Sequence, residues 1–232
     1  MTPEVRQGVV KWIVQAAVGI VGYAAIIFIS AGTLHWLWGW VFVIVLALSL
    51  IAHPLILLPI NPELLAERQK GSLDEGVKSW DKWITMLSGA LMVLSWIIAG
   101  LDFRWGWSPP LPLAVHLAGL LFTLLGYGLF MWAMASNAFF SEGVRIQTER
   151  GHTVASGGPY AVVRHPGYVG VIVAHLATPF LLGSLWALIP SAVLAALFVL
   201  RTSLEDKTLT AELPGYEDYT QETRYRLLPG IW

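Results

Sequence analysis

Between Tyr168 and Leu200 the chain reads YVGVIVAHLATPFLLGSLWALIPSAVLAALFVL, without one Asp, Glu, Lys or Arg. As a single straight helix this stretch would be roughly 50 Å long, against a bilayer hydrocarbon core of about 30 Å. One span does not fit. Pro179, Gly183 and Pro190 offer break points. The reading is therefore two short helices joined near Gly183–Ser184, a hairpin that returns the chain to the side it came from.

Four more apolar runs, near 9–30, 36–59, 83–101 and 111–135, are each long enough to cross a membrane as a helix. The fold class is thus all-α, a polytopic membrane bundle of about six segments. Basic residues test the count. Of 14 Lys and Arg, all but Arg104 fall in the N-terminal tail (Arg6, Lys11), the 60–82 and 136–167 loops, or the tail after Leu200. Six segments put all of these on one side, which the positive-inside tendency makes the cytoplasm. Five would strand the last group opposite. A multi-pass inner-membrane protein with both termini inside is expected. The run from Val9 to Ile29 is too long for a signal-peptide core and reads as a retained first span.

Composition agrees. The 232 residues are 56% hydrophobic and only 12% charged, where a soluble domain carries about 25% charged residues to cover its surface. Twelve Trp suit bilayer interfaces. A net charge of -1 gives nucleic acid no basic surface. Absence of Cys removes disulfides, thiolate metal sites and a Cys nucleophile. His35, His53, His116 and His175 are scattered without carboxylates at ligand spacing, so no metal site is expected. His53, before Pro54, should sit at a bend. Neither a P-loop nor a dinucleotide or GxSxG motif occurs. Gly19 and Gly22 suit close helix packing.

Polar residues gather in 136–167 and 201–232, which flank the hairpin and can meet at one end of the bundle. The chain accordingly divides into a four-span part, 1–135, and a loop–hairpin–tail part, 136–232. In the first polar piece Gly157, Gly158 and Pro159 suit a turn, and Pro166 makes His165 non-helical while opening the next helix. Free N–H groups at that helix start, with Arg164 and His165, could receive a carboxylate. The plainer reading makes Arg164 and His165 headgroup anchors and Tyr160 and Tyr168 interface aromatics. In the second piece Arg201 and Glu205 share a helix face; taken alone, they are an ion pair with a snorkelling Arg.

The ordered set His152, Ser156-Gly157, Tyr160, Arg164-His165-Pro166-Gly167-Tyr168, the hairpin and Arg201-x-x-x-Glu205 resembles the isoprenylcysteine carboxyl methyltransferase family. Gly215-Tyr216-x-x-Tyr219 and Arg224…Pro229 are similar to that family's tail. The likeness spans about 137–229. It implies a membrane enzyme using S-adenosylmethionine, releasing S-adenosylhomocysteine, with a cytoplasmic site. Carried over by position, cofactor contacts would fall to Gln147, His152, Thr153, Val154, Ala155, Tyr160, Arg164, His165, Pro166, Gly167, Tyr168 and Glu205. Arg201 would face the methyl acceptor, and Arg201 and Glu205 would be the catalytic pair. Gly167 stands where the family often has a small polar residue.

The apolar spans imply a lipophilic or prenylated acceptor reaching the site from the bilayer, among membrane lipids. A carboxylate acceptor needs no general base at pH 7; an amine or thiol acceptor would need one, with Glu205 or Tyr168 as candidates. Two other classes compete: an NADPH-dependent sterol-type reductase, and a non-enzymatic transporter or scaffold. A transporter should carry ionisable groups near mid-membrane, and here the polar groups collect at one end.

Overall fold

The computed structural model describes residues 3–68, 71 and 76–232, with side chains except at 3–11, 13 and 66. Lys70 lies outside the described residues, as do the side chains of Arg6 and Lys11. The elements are α1 (Pro3–Ala31), α2 (Leu37–Ile60), α3 (Pro62–Arg68), α4 (Ser79–Trp105), α5 (Leu113–Ala135), α6 (Pro166–Leu182), α7 (Leu188–Glu212) and α8 (Tyr216–Glu222). No strand occurs among the described residues. Helices α1, α2, α4, α5 and α7 are long and apolar enough to cross a membrane, and α6 is a shorter apolar helix. The protein is a polytopic helical membrane bundle.

The long helices form a ring. Helix α1 packs on α4 and α2, α2 on α5, α5 on α6, α6 on α7 and α7 back on α4. Their outer faces carry exposed Val18, Ile29, Ile44, Leu55, Leu87, Leu125 and Val193, as a lipid-facing surface requires. One end is rich in Trp, with Trp36, Trp38, Trp40, Trp105, Trp107 and Trp186 around the helix ends and turns. The other is rich in charge.

The hairpin lies where the apolar run placed it. Helix α6 ends at Leu182, and Gly183 caps it with φ of 80°, a conformation that side-chain-bearing residues adopt at a cost. The second helix is not short, however. Helix α7 continues through Arg201, Thr202 and Asp206 to Glu212. These polar side chains are buried against protein, so lipid exposure does not end the helix at Leu200. Helix α4 likewise outruns its apolar core at both ends. Helix α2 continues through Pro54 and Pro59, so His53 lies inside a helix.

Close packing of α5 on α6 depends on Gly126 and Gly170. A Cβ on Gly126 would stand 2.6 Å from the Ala174 amide nitrogen and the Gly170 carbonyl oxygen. Helix α4 faces the interior with Asp81, Ser88, Ser95 and Asp102, all buried. Seven residues make nearly two turns, so these four share one face. Asp102 accepts hydrogen bonds from the Ser108 amide and hydroxyl (2.7 and 2.6 Å) and from the Ser184 hydroxyl. Ser95 meets Ser191 Oγ at 3.0 Å. This polar seam fixes α4 to the α6–α7 turn and to α7 without exposing a charge to lipid.

The histidines in the spans are structural. His116 Nδ1 lies 2.9 Å from the Leu181 carbonyl, and its ring stacks on Trp38. His53 and His175 each contact the carbonyl four residues earlier, those of Ser49 and Val171.

Candidate active site

At the charged end the segment before α6 pairs with the tail after α8. The Arg164 and His165 amides donate to the carbonyls of Tyr225 and Arg226 at 2.9 and 3.0 Å. Beneath them sits the buried carboxylate of Asp206. It accepts from Arg164 Nε and Nη2 at 2.7 and 2.9 Å, from Tyr216 Oη at 3.0 Å and from Arg226 Nε at 2.8 Å. His165 Nε2 lies 3.2 Å away. Burial, reinforced by the charges of Asp206 and Glu205, holds the Tyr216 phenol above its usual range. It therefore stays protonated as a donor to Asp206. This hub joins α7, α8, the α6 start and the tail, and makes two polar pieces distant in sequence into one body.

Beside the hub lies a cavity. Its walls come from α3 (Arg68), α4 (Thr85), α5 (Phe130), α6 (Gly167, Tyr168, Val171), α7 (Phe198, Arg201, Glu205, Leu209), α8 (Tyr216, Tyr219) and the loops 137–145 and 152–155 with Tyr160. Glu205 is part-buried and accepts a hydrogen bond from the Tyr168 hydroxyl. The Tyr168 and His165 rings are parallel, within 6°, with centroids 5.7 Å apart. His165 Nδ1 lies 3.9 Å from Glu205. No Lys or Arg forms a salt bridge with Glu205 among the described residues. An ion pair of Arg201 with Glu205 is thus not what forms. Arg201 instead grips Asp81, Nε to Oδ1 at 2.7 Å and Nη2 to Oδ2 at 2.9 Å, and donates to the Glu142 carbonyl at 2.8 Å. Its guanidinium stands 5.1 Å from the Tyr168 ring centroid. Asp81 is fully buried and also accepts the Val144 amide at 2.7 Å. It thereby fastens α4 to both α7 and the 137–147 loop.

Of the residues expected at the site, His152, Thr153, Val154, Ala155, Tyr160, Arg164, His165, Gly167, Tyr168, Arg201 and Glu205 all line the cavity. Gln147 does not. Its side chain is fully buried, donates to the Phe139 carbonyl at 2.8 Å and accepts from Arg150. Its amide meets His152 Nδ1 at 3.2 Å, so Gln147 folds the turn that presents His152. Pro166 opens α6 and lies outside the lining. Arg164 forms part of the wall, but it is not a free cation. Four N–H groups go to Asp206 and to the carbonyls of Thr223 and Arg224, leaving little to hold a substrate carboxylate. A Cβ at Gly167 would come within 2.7 Å of the Phe140 ring, so a larger residue there would displace that wall.

His152 stacks on Phe139, with centroids 4.5 Å apart. Burial, followed by the positive charges of Arg150 and Arg145, lowers its pKa from 6.5 to about 4. It is neutral at pH 7. Because Nδ1 accepts the Gln147 amide, the proton sits on Nε2. Burial raises the Tyr160 phenol above its usual range. Its carbonyl receives the Tyr219 hydroxyl at 2.7 Å. Among the described residues no group of three or more His, Asp or Glu side chains is placed to hold a metal ion.

Residues 118–211 match the family model of the isoprenylcysteine carboxyl methyltransferases. The likeness to the family lies in that stretch. It runs from α5 through the loop and hairpin to the end of α7, and contains Tyr168, Arg201, Glu205 and Asp206. The match supports the family assignment read from the motifs, and with the spanning helices it supports a membrane methyltransferase. No curated protein matches the chain. Asp81, Arg68 and Thr85 lie outside the matched stretch.

Asp81, Asp206, Arg68 and Thr85 were not among the residues singled out by sequence. For Asp81 a signal existed: Asp81, Ser88, Ser95 and Asp102 recur every seven residues along a mostly apolar span, marking a face turned from lipid.

Proposed function

We propose that the protein transfers a methyl group from S-adenosylmethionine to the carboxylate of a lipophilic acceptor at the cytoplasmic face of a cell membrane. The observation that carries this reading is Glu205. It is a part-buried carboxylate on the cavity wall that the described residues leave without a guanidinium or ammonium partner. The Tyr168 hydroxyl solvates this carboxylate but does not neutralise it; a part-buried anion is costly, and a cationic ligand would balance it. S-adenosylmethionine suits the surroundings: it has a sulfonium and an amino group for Glu205, and a flat base for a cavity walled by aromatic side chains and the 152–155 segment.

When bound, the cofactor supplies an electrophilic methyl group. This chain's residues do the rest. Tyr168 donates to Glu205 and orients it. His165, tied to the Asp206 hub, backs the Tyr168 ring. Arg201, braced by Asp81, presents a fixed cation to the acceptor. A carboxylate acceptor is already ionised at pH 7. The site therefore supplies orientation and exclusion of water, and no proton need be removed. Phe130, Phe140 and Phe198 offer walls for an apolar chain and keep water out. The concentration of basic residues at this end supports its cytoplasmic placement.

Isothermal titration with S-adenosylhomocysteine tests the reading. The purified wild-type protein should bind it, and Glu205→Ala should weaken binding by about tenfold or more, the equivalent of ~1.4 kcal/mol. Binding of NADPH in preference to S-adenosylhomocysteine would overturn it in favour of a reductase.

A further inference from the structure

Among the described residues four arginines line the cavity; Arg145 is held by Glu67 and Glu149 and Arg164 by Asp206, and beside Arg201 that leaves Arg68, which the methyl-transfer reading does not use. Arg68, the last residue of α3, reaches the lining beside Arg201. Nη1 donates to the Phe140 carbonyl at 3.2 Å, and Nη2 meets Glu142 Oε1 at 3.3 Å. Its guanidinium stands 6.0 and 5.8 Å from the Phe130 and Phe140 ring centroids. Burial lowers its pKa, Glu142 raises it and the nearby charge of Arg201 lowers it. Two like charges share one enclosure, and each is answered by a different carboxylate. Arg201 has Asp81, which is sealed in the protein. Arg68 has Glu142, whose side chain is 42% exposed and whose contact is long. The Glu142 backbone carbonyl is also held by Arg201. The backbone contact fixes Glu142 in place next to both arginines, and its side-chain carboxylate, on Arg68 alone, is the part that an incoming anion could displace. The Thr85 hydroxyl, one turn along α4 from Asp81, is buried in the same wall without a hydrogen-bond partner.

We propose that Arg68 and Thr85 form the acceptor's recognition site together with Arg201, that they select an anionic head on an apolar chain, and that Glu142 occupies this site when no acceptor is present. This rests on the methyl-transfer reading and deepens it. The matched stretch supplies the cofactor groups, and α3 and α4 supply specificity toward the second substrate. The acceptor's carboxylate displaces the Glu142 side chain from Arg68 and gains the Thr85 hydroxyl. Its chain lies along Phe130 and Phe140. No bond is made or broken in this exchange of anions.

The test uses the full chain in nanodiscs, saturated with S-adenosylhomocysteine, titrated with a farnesyl thioether carboxylate and with its neutral amide. The wild type should favour the carboxylate. Arg68→Gln should weaken the carboxylate about tenfold while leaving the amide and S-adenosylhomocysteine within about twofold. Glu142→Gln should act in the opposite direction, strengthening the carboxylate several-fold, because it frees Arg68. Thr85→Val should weaken the carboxylate about threefold, again sparing the amide. A purely structural Arg68–Glu142 pair predicts that both variants weaken everything together, and that result overturns the proposal. Equal losses for carboxylate and amide overturn it too, as does a preference for a farnesyl amine. Should Arg68→Gln fail to fold, the sign of the Glu142→Gln effect decides. Failure of the wild type to bind S-adenosylhomocysteine would instead strike the underlying reading.

Discussion

Asp81 shows what one buried carboxylate does for this site. It neutralises Arg201, accepts the Val144 amide and is itself inaccessible to water. Removing one partner of such a pair leaves an uncompensated charge, which costs about 3–5 kcal/mol. Asp81→Asn should therefore destabilise the protein by that order, measured by thermal unfolding in detergent. The double variant Asp81→Asn/Arg201→Gln should lose less than the sum of its parts, because the stranded cation is gone. His152 makes a prediction with a definite sign. Its folded pKa is near 4 against 6.5 in the unfolded chain. Between those values the unfolded chain binds the proton and the folded chain does not. Stability contributed by neutral His152 is thus complete above about pH 6.5 and lost as pH falls toward 4. His152→Gln should flatten that part of a melting-temperature profile against pH. The motif residues were legible because their order and spacing are distinctive. Gln147 fell in the same run, yet its side chain turns to Phe139 and Arg150. Spacing alone does not say which face of a tight turn meets the cavity.

Among the helices, the α6–α7 hairpin was the most readable feature, since 33 uncharged residues cannot make one span. The end of α7 was not readable from hydropathy. Arg201 and Asp206 look like water-facing residues until Asp81 and Arg164 are known to receive them. The break itself depends on Gly183 in the left-handed region, with the His116 ring 2.8 Å from where a Cβ would lie. Gly183→Ala should lower stability by about 1 kcal/mol or more from backbone strain alone. Gly170→Leu should do worse. Its side chain would press on the Gly126 carbonyl and the Phe130 amide, only 2.5 and 2.7 Å from a Cβ. Overpacking of this kind costs about 1–3 kcal/mol. Both are read as drops in melting temperature, with the Gly170 variant also losing the α5–α6 contact that holds Phe130 in the cavity wall.

The bundle as a body is asymmetric in charge: both ends carry Trp, but the ion pairs of Arg68, Arg145, Arg164, Arg201 and Arg226 gather at one. Since the chain has no Cys, single cysteines report sidedness without background. The proposed cytoplasmic placement of the charged end predicts that Pro110→Cys reacts with an impermeant thiol reagent only from outside the cell, and Glu217→Cys only from inside. Reaction of both positions from the same side would contradict the six-segment topology, in which α5, α6 and α7 separate them. The Asp206 hub adds something about how the protein is made. Its partners include Arg164 before the hairpin, Tyr216 in α8 and Arg226 beyond it. During synthesis all the spans can enter the bilayer before the last of these residues has left the ribosome. Membrane insertion and completion of the cavity wall are therefore separate events in time. A chain whose spans are threaded but whose tail has not yet docked would still have an open, unfinished cavity.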